Sequence, residues 1–174
     1  MQTTTIKKLN RQTKPLRTAP ERIIQFGTGV LLRGLIDYVL QQANDNSAFT
    51  GSVVQIKSTT NGRGDEFAGQ DGLYTVAVRG VEGGQLVQHY ELNTVLNRTL
   101  NANHQWEEVL QLARQPEFDI IISNTTEAGI VLAVEDKISD VPPKSFPAKL
   151  LALLHERYSI LGKENAPGFI IVPL

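Results

Sequence analysis

The stretch "RIIQFGTGVLLRG", Arg22 to Gly34, constrains the fold more than any other part of the chain. An apolar run, Ile23, Ile24 and Phe26, breaks at Gly27-Thr28-Gly29, and apolar residues then resume with a different period. From Leu32 they fall at Leu32, Leu35, Ile36, Val39, Leu40 and Ala43, the spacing of an amphipathic helix with one buried stripe. After a polar turn, "SVVQI" (Ser52 to Ile56) reads as a second short apolar strand. Strands that are apolar on both faces belong in a parallel sheet, and strand, helix, strand is a βαβ unit with a right-handed crossover.

The pattern changes at Ser58 to Gly72, "STTNGRGDEFAGQDG", a Gly-, Asn- and Asp-rich surface loop that carries Asp65, Glu66 and Asp71. "LYTVAVRG" and "QLVQHYEL" flank Gly83-Gly84 and read as an inserted β-hairpin. Helical spacing returns over Gln105 to Gln115, and "FDIIISN" (Phe118 to Asn124) is the clearest buried strand. A helix is expected to start at Pro147, where a proline loses no helical hydrogen bond, and "GFIIVPL" reads as a last buried strand. The expected fold class is α/β, Rossmann-like: a mostly parallel open sheet with helices on both faces and an inserted hairpin, over residues 21–174. Residues 1–20, with Lys7, Lys8, Arg11, Lys14 and Arg17 but no apolar run, read as a polar leader rather than a signal peptide. The last strand is apolar to the final residue, which suggests a truncated or excised N-terminal domain.

Composition narrows the partners. Seventeen Lys and Arg against eighteen Asp and Glu leave a net charge of -1, so the chain has no basic field to attract nucleic acid or an anionic membrane. No apolar segment approaches the roughly 18 residues needed to span a bilayer. The absence of cysteine excludes a disulfide framework, a thiolate zinc site and a Cys nucleophile, and fits a cytoplasmic protein. The three histidines, His89, His104 and His155, have neither metal-site nor triad spacing, so no metal is expected; His155 reads as a helix-surface residue.

Two segments carry candidate chemistry. Gly27 and Gly29, between a buried strand and a helix, suit a phosphate cradle: the first permits a tight turn and the second lets the backbone approach a pyrophosphate at the helix N-terminus. A glycine turn without a ligand fits the same spacing, and Leu32 stands where the dinucleotide fingerprint has its third glycine. Arg33 is placed to bond a phosphate or substrate, or to be solvated. The second segment, "SNTTEAGI" (Ser123 to Ile130), follows the strongest strand at the carboxyl edge where open α/β sheets bind ligands; its other reading is a helix N-cap. The second strand ends in Gln55-Ile56-Lys57-Ser58 with no acid for a ribose 2'-hydroxyl, and Lys57 is either a 2'-phosphate contact or a solvated lysine.

Together, "PERIIQFGTGVLLRGLIDY", "QDGLYTVAVRG", "SNTTEAGI", "FPAKLLALLHERY" and "GFIIVPL" resemble, in order and spacing, the mannitol dehydrogenase family of polyol-specific long-chain dehydrogenases. That family's turn is Gly-x-Gly-x-x-x-Arg, which Gly27, Gly29 and Arg33 match with Leu32 in place. Within the family the likeness points to enzymes of hexuronate breakdown. It implies a two-domain oxidoreductase that reversibly reduces D-tagaturonate to D-altronate with NADH. It also implies a catalytic lysine, with Asn and His, in a C-terminal domain beyond Leu174, so Lys137, Lys144, Lys149 and Lys163 are not assigned that role. The cofactor side carries over: Ile24, Gln25, Phe26, Gly27, Thr28, Gly29, Val30, Leu31, Leu32, Arg33, Gly34 and Leu35 around the pyrophosphate, and Asn124, Thr125, Thr126 and Glu127 beside the nicotinamide. The rival readings are a fructuronate reductase or mannitol-type dehydrogenase of the same family, a non-catalytic dinucleotide sensor and, more distantly, a methyltransferase, whose sheet opens with a similar turn.

Overall fold

The computed structural model describes residues 9–13, 16, 19–58, 67, 69–165 and 168–174. Lys7, Lys8, Lys14 and Arg17 of the leader, and Asp65 and Glu66 of the long loop, lie outside the described residues. In chain order the strands are β1 (Glu21–Phe26), β2 (Ser52–Lys57), β3 (Tyr74–Glu82), β4 (Gln85–Asn93), β5 (Leu96–Asn101), β6 (Ile120–Ser123) and β7 (Ile170–Pro173). The helices are α1 (Asp37–Asp45), which continues a π-helical turn at Leu32–Ile36, α2 (Trp106–Ala113) and α3 (Phe146–Asn165). Five strands form one sheet in the order β5-β2-β1-β6-β7, and every pair in it is parallel. β3 and β4 form a separate antiparallel ribbon, so the hairpin is an insertion between β2 and β5. Gly83 and Gly84 both take positive φ at its tip (57° and 81°), as a two-residue turn of this hand requires.

Helices cover both sheet faces, as the apolar strands demand. On one face Ile24, Phe26, Val54 and Ile56 pack against Trp106, Val109 and Leu112 of α2 and Leu153 of α3, with Phe118. On the other, Ile23, Val53, Leu96 and Ile122 meet Leu32 and Tyr74. β2 is buried along its whole length, which is why its sequence shows no alternation.

Three local expectations are corrected. β5 escaped notice because "LNRTLN" is mostly polar; only Leu96 and Leu100 are deeply buried, and the strand is held at the sheet edge by its ladder with β2. β7 is a strand but not a buried one. It is the opposite edge, and Ile170, Ile171 and Val172 are exposed. The helix after the glycine turn does not bury a simple apolar stripe: Leu35 and Val39 are exposed, while Arg33, Asp37 and Gln41 face inward.

Candidate functional site

The chain passes from β1 through β2 to β5 on one side of β1, and places β6 and β7 on the other. The order therefore reverses between β1 and β6, and the crevice outside their carboxyl ends is where such sheets take ligands. A cavity of about 390 Å³ lies there. Phe26, Gly27 and Thr28 form its wall after β1, and Asn124, Thr125 and Thr126 its wall after β6.

The glycine turn is shaped by its neighbours. Gly27 has φ +119°, a conformation that L side chains rarely adopt, and a Cβ there would lie 3.1 Å from Leu32 Cδ1. Leu32 is fully buried and packs against the turn, so the residue in the third fingerprint position adds a tight contact to the backbone conformation that already favours glycine at the first. Gly29 has no heavy atom within 4 Å of a Cβ position, which leaves its backbone open to a ligand. The Arg33 amide bonds the Gly29 carbonyl (3.3 Å), joining the turn to the π turn.

Of the two sequence readings of Arg33, burial removes the solvated one. Arg33 is 9% exposed, donates from Nη1 to the Thr28 carbonyl and lies over the Phe67 ring at 4.6 Å. It braces the glycine turn from behind. Ile24, Gln25 and Leu32 are fully buried, so they support the turn from the core, while Val30, Leu31 and Leu35 are exposed outside the cavity wall. Lys57 is 5% exposed, which removes the solvated-lysine reading.

Asp37 sits one helical turn beyond Arg33, with no exposed surface. Burial pushes its carboxyl up to about 6, while the Tyr74 hydroxyl, the Gln25 side chain and the Arg33 charge pull the other way. Gln25 lies near enough to favour the carboxylate, yet neither of its side-chain polar atoms has a bond of good geometry. The Tyr74 hydroxyl is itself pushed well above the ordinary phenol range, by burial and then by the Asp37 charge.

At the far wall, a 3₁₀ turn covers Glu127–Ile130, closed by bonds from the Gly129 and Ile130 amides to the Thr126 carbonyl (2.8 and 3.2 Å). Thr126 occupies the N-cap position without a side-chain cap bond, which leaves its hydroxyl available on the cavity wall. Val131, Lys144 and Ser145 of the segment before α3, and Phe146 at its first position, complete the wall. Asp136 holds that loop, accepting bonds from the Lys144 amide (2.7 Å), the Ser145 amide (2.9 Å) and the Ser145 hydroxyl. Ala128 and Gly129 belong to the "SNTTEAGI" segment, whereas Ser58, Val131, Lys144, Ser145 and Phe146 were not among the sequence candidates; the one available signal for the last three was the helix expected from Pro147, which starts at Phe146 and brings the preceding residues to the same sheet edge. Lys149 is almost fully buried and bonds the Lys144 carbonyl (2.7 Å), and His155 is exposed on α3 as expected. Among the described residues, no group of three or more His, Cys, Asp or Glu could hold a metal ion, and no helix is long and apolar enough to cross a membrane.

The mannitol dehydrogenase Rossmann domain model matches residues 21–173. The chain belongs to the mannitol dehydrogenase family. Among curated members of the family it is 43% identical over 155 residues to the altronate oxidoreductase of Halalkalibacterium halodurans, covering 88% of this chain and 30% of that protein. It is 39% identical over 168 residues to the altronate oxidoreductase of Bacteroides thetaiotaomicron, covering 97% of this chain and 35% of that protein. The chain thus spans about a third of the length of these relatives. In structure it is similar to mannitol 2-dehydrogenase of Pseudomonas fluorescens, solved as a ternary complex with NAD and D-mannitol (TM-score 0.76, 20% identity, 96% of this chain and 38% of that one). A D-sorbitol dehydrogenase in substrate-free form is a second match (TM-score 0.72, 17% identity, 96% and 39%). Family membership and sheet topology agree that this is a Rossmann-type domain of an oxidoreductase family.

Proposed function

We propose that residues 21–174 are the NAD-binding domain of an enzyme that reversibly reduces D-tagaturonate to D-altronate, with residues 1–20 as a leader. The observation that carries the reading is the cavity at the strand-order reversal, walled by Gly27-Thr28 and by Asn124 to Thr126. The residues present fit a dinucleotide: Gly29 leaves open space where a pyrophosphate would approach, and the helix start offers free N–H groups to its charge. Asn124, Thr125 and Thr126 supply short donors and acceptors suited to an amide-bearing ring. Of the other residues assigned to the cofactor, the exposed Val30, Leu31, Gly34 and Leu35 flank the turn, and Glu127 opens the 3₁₀ turn beside the nicotinamide wall.

When bound, NAD supplies the hydride acceptor and donor at its nicotinamide ring. This chain binds and orients it, and the proton at the substrate oxygen is handled by residues of a C-terminal domain. The two-thirds of each altronate oxidoreductase outside the matched region has room for that domain. Altronate is favoured over mannitol as substrate because the altronate oxidoreductases are 39–43% identical to the chain and the mannitol enzyme only 20%. Titration of the 174-residue chain with NADH, followed by fluorescence, is expected to show saturable binding with no turnover of tagaturonate. The full-length protein is expected to prefer tagaturonate to fructuronate and mannitol. Absence of NADH binding overturns the cofactor reading, and a preference for either other substrate overturns the substrate reading.

A further inference from the structure

One stripe of α1 and its π turn takes no part in the cavity wall. Arg33, Asp37 and Gln41 recur every fourth residue, face inward and are 9%, 0% and 8% exposed, where an apolar stripe is usual. Each touches the root of the hairpin or the residue after it. The Tyr74 hydroxyl, at the start of β3, lies 3.0 Å from Asp37 Oδ2 and 3.2 Å from the Arg33 carbonyl oxygen. Asn93, at the end of β4, donates from Nδ2 to the Asp37 carbonyl (2.8 Å). Gln41 Oε1 accepts from the amide and hydroxyl of Thr94 (2.8 and 3.0 Å). Beneath them, Asp37 Oδ1, both polar atoms of the Gln25 side chain and Gln55 Nε2 are buried with no hydrogen-bond partner among the described residues. Polar atoms left unmet at this depth cost stability, so packing alone does not account for the cluster.

Its position suggests what it does. A tyrosine hydroxyl has one proton to give and here faces two acceptors, so the charge on Asp37 decides where that proton points. One of the two acceptors is the carbonyl of Arg33, whose guanidinium holds the Thr28 carbonyl of the glycine turn. We propose that Asp37 is a positioning residue for the dinucleotide turn: its carboxylate, clasped by the hairpin root, fixes the π turn and Arg33, and through them the shape of Gly27 to Gly29. The inference rests on the dinucleotide reading of the cavity. The groups facing the carboxyl are Arg33 from the π turn, Tyr74 from β3, neutral Gln25 from β1 and, at its backbone, neutral Asn93 from β4. Protonation removes the charge-assisted bond from Tyr74 and the attraction of Arg33, and frees the hydroxyl to turn toward the Arg33 carbonyl. Cofactor affinity is therefore tied to ionisation of Asp37.

The test is calorimetric titration of NAD into the chain, and into Asp37→Asn and Tyr74→Phe, across pH. Among the described residues, none that lines the cavity is a histidine or a carboxylate, so the Asp37→Asn profile is the control that assigns a change in affinity near pH 6 to Asp37. The unmodified chain is expected to lose roughly five- to tenfold in NAD affinity as pH falls through about 6. Asp37→Asn is expected to bind several-fold more weakly at neutral pH with a flat profile, and Tyr74→Phe to flatten the profile in part. Hydrogen exchange at the amides of residues 28–33, measured without cofactor, is expected to quicken in Asp37→Asn. A flat profile in the unmodified chain overturns the proposal even if a variant fails to fold, and so does Asp37→Asn binding NAD as tightly as the unmodified chain at neutral pH. Absence of NAD binding by the unmodified chain at every pH overturns the dinucleotide reading and the positioning role with it, whereas binding that ignores Asp37 overturns the positioning role alone.

Discussion

The two faces of the parallel sheet are buried in opposite ways. Under α2 and α3 the contact is mainly apolar, from Ile24 and Phe26 to Trp106, Phe118 and Leu153, and the charged side chains buried there, Lys149 and Arg157 of α3, bond backbone carbonyls. Under α1 and the hairpin root, polar side chains are buried among the apolar ones: Gln25, Gln55, Arg33, Asp37, Gln41 and Asn93. β1 belongs to both faces, since its alternate residues point to opposite sides and only Gln25 among its fully buried residues is polar. The first face holds the fold together. The second gives up part of that stability for hydrogen-bond geometry, and it is the one attached to the glycine turn.

The sharpest way to break the comparison is to create a cavity on the apolar face. Phe118→Ala removes a fully buried ring that no polar group uses, and is expected to cost about 3–5 kcal/mol. Chemical denaturation with urea reads this directly. A loss of under about 1 kcal/mol would mean that this face is not where the stability lies.

The polar face should respond with the opposite sign. The Asp37 carboxyl is raised from 3.8 to about 6 in the folded chain, so the fold favours its protonated form. The contribution of this group to stability is fully present below the unfolded value, and is lost as pH rises through about 6. Asp37→Asn keeps the shape and removes the charge, so near neutral pH it should stabilise the chain by at most about 3 kcal/mol, the energy of a two-unit shift, less any bond weakened. The gain should shrink to nothing, or reverse, below about pH 4. Thermal unfolding at several pH values checks it. A variant that is more stable yet binds NAD less tightly separates a positioning role from a structural one; a variant less stable at every pH places Asp37 among ordinary structural residues.

Gly27→Ala touches the seam between the faces. Its backbone at φ +119° and the nearby Leu32 Cδ1 both resist a methyl group, and the expected cost is about 1–3 kcal/mol of stability. NAD affinity should fall more than stability does, because the turn must deform at the phosphate site. Gly29→Ala meets no neighbouring atom and should leave stability nearly unchanged while still weakening NAD, which isolates the ligand-facing role. Equal binding by both variants and the unmodified chain would remove the turn from the site.

The same contrast explains how much could be read from the chain alone. β1, β2, β6 and the glycine turn were legible because an apolar run buried on both faces, followed by two glycines and a helix, has few other solutions. β5 was not, because an edge strand needs only Leu96 and Leu100 in the core and can be polar elsewhere. β7 misled in the other direction, since its isoleucines promise burial that the described residues do not provide. At the site, Gly27, Thr28 and Asn124 to Thr126 follow from position at strand ends, whereas Lys144 and Ser145 reach the cavity through a loop whose path rests on Asp136. Arg33 shows the limit most clearly. Its sequence position allows a phosphate or substrate contact or a solvated side chain, and only the structure shows its contacts with the Thr28 carbonyl and the Phe67 ring.

The smallest expected effect concerns the far end of the hairpin, and it tests whether the polar face extends along the whole insertion or stops at its root. Tyr74 and Asn93 are buried where β3 and β4 meet α1, but Val81 and Leu86 near the tip are 69% and 90% exposed. If the hairpin acts on the turn only through its root, changes at the tip should pass unnoticed by the site. Leu86→Ser alters an exposed side chain beside a turn whose two glycines set its shape, and should shift stability by less than about 0.5 kcal/mol. NAD affinity and its pH profile should be unchanged. A measurable loss of affinity in Leu86→Ser, with the fold intact, would show that the tip itself reaches the cofactor site, and would move the boundary of the polar face from the hairpin root to the end of the ribbon.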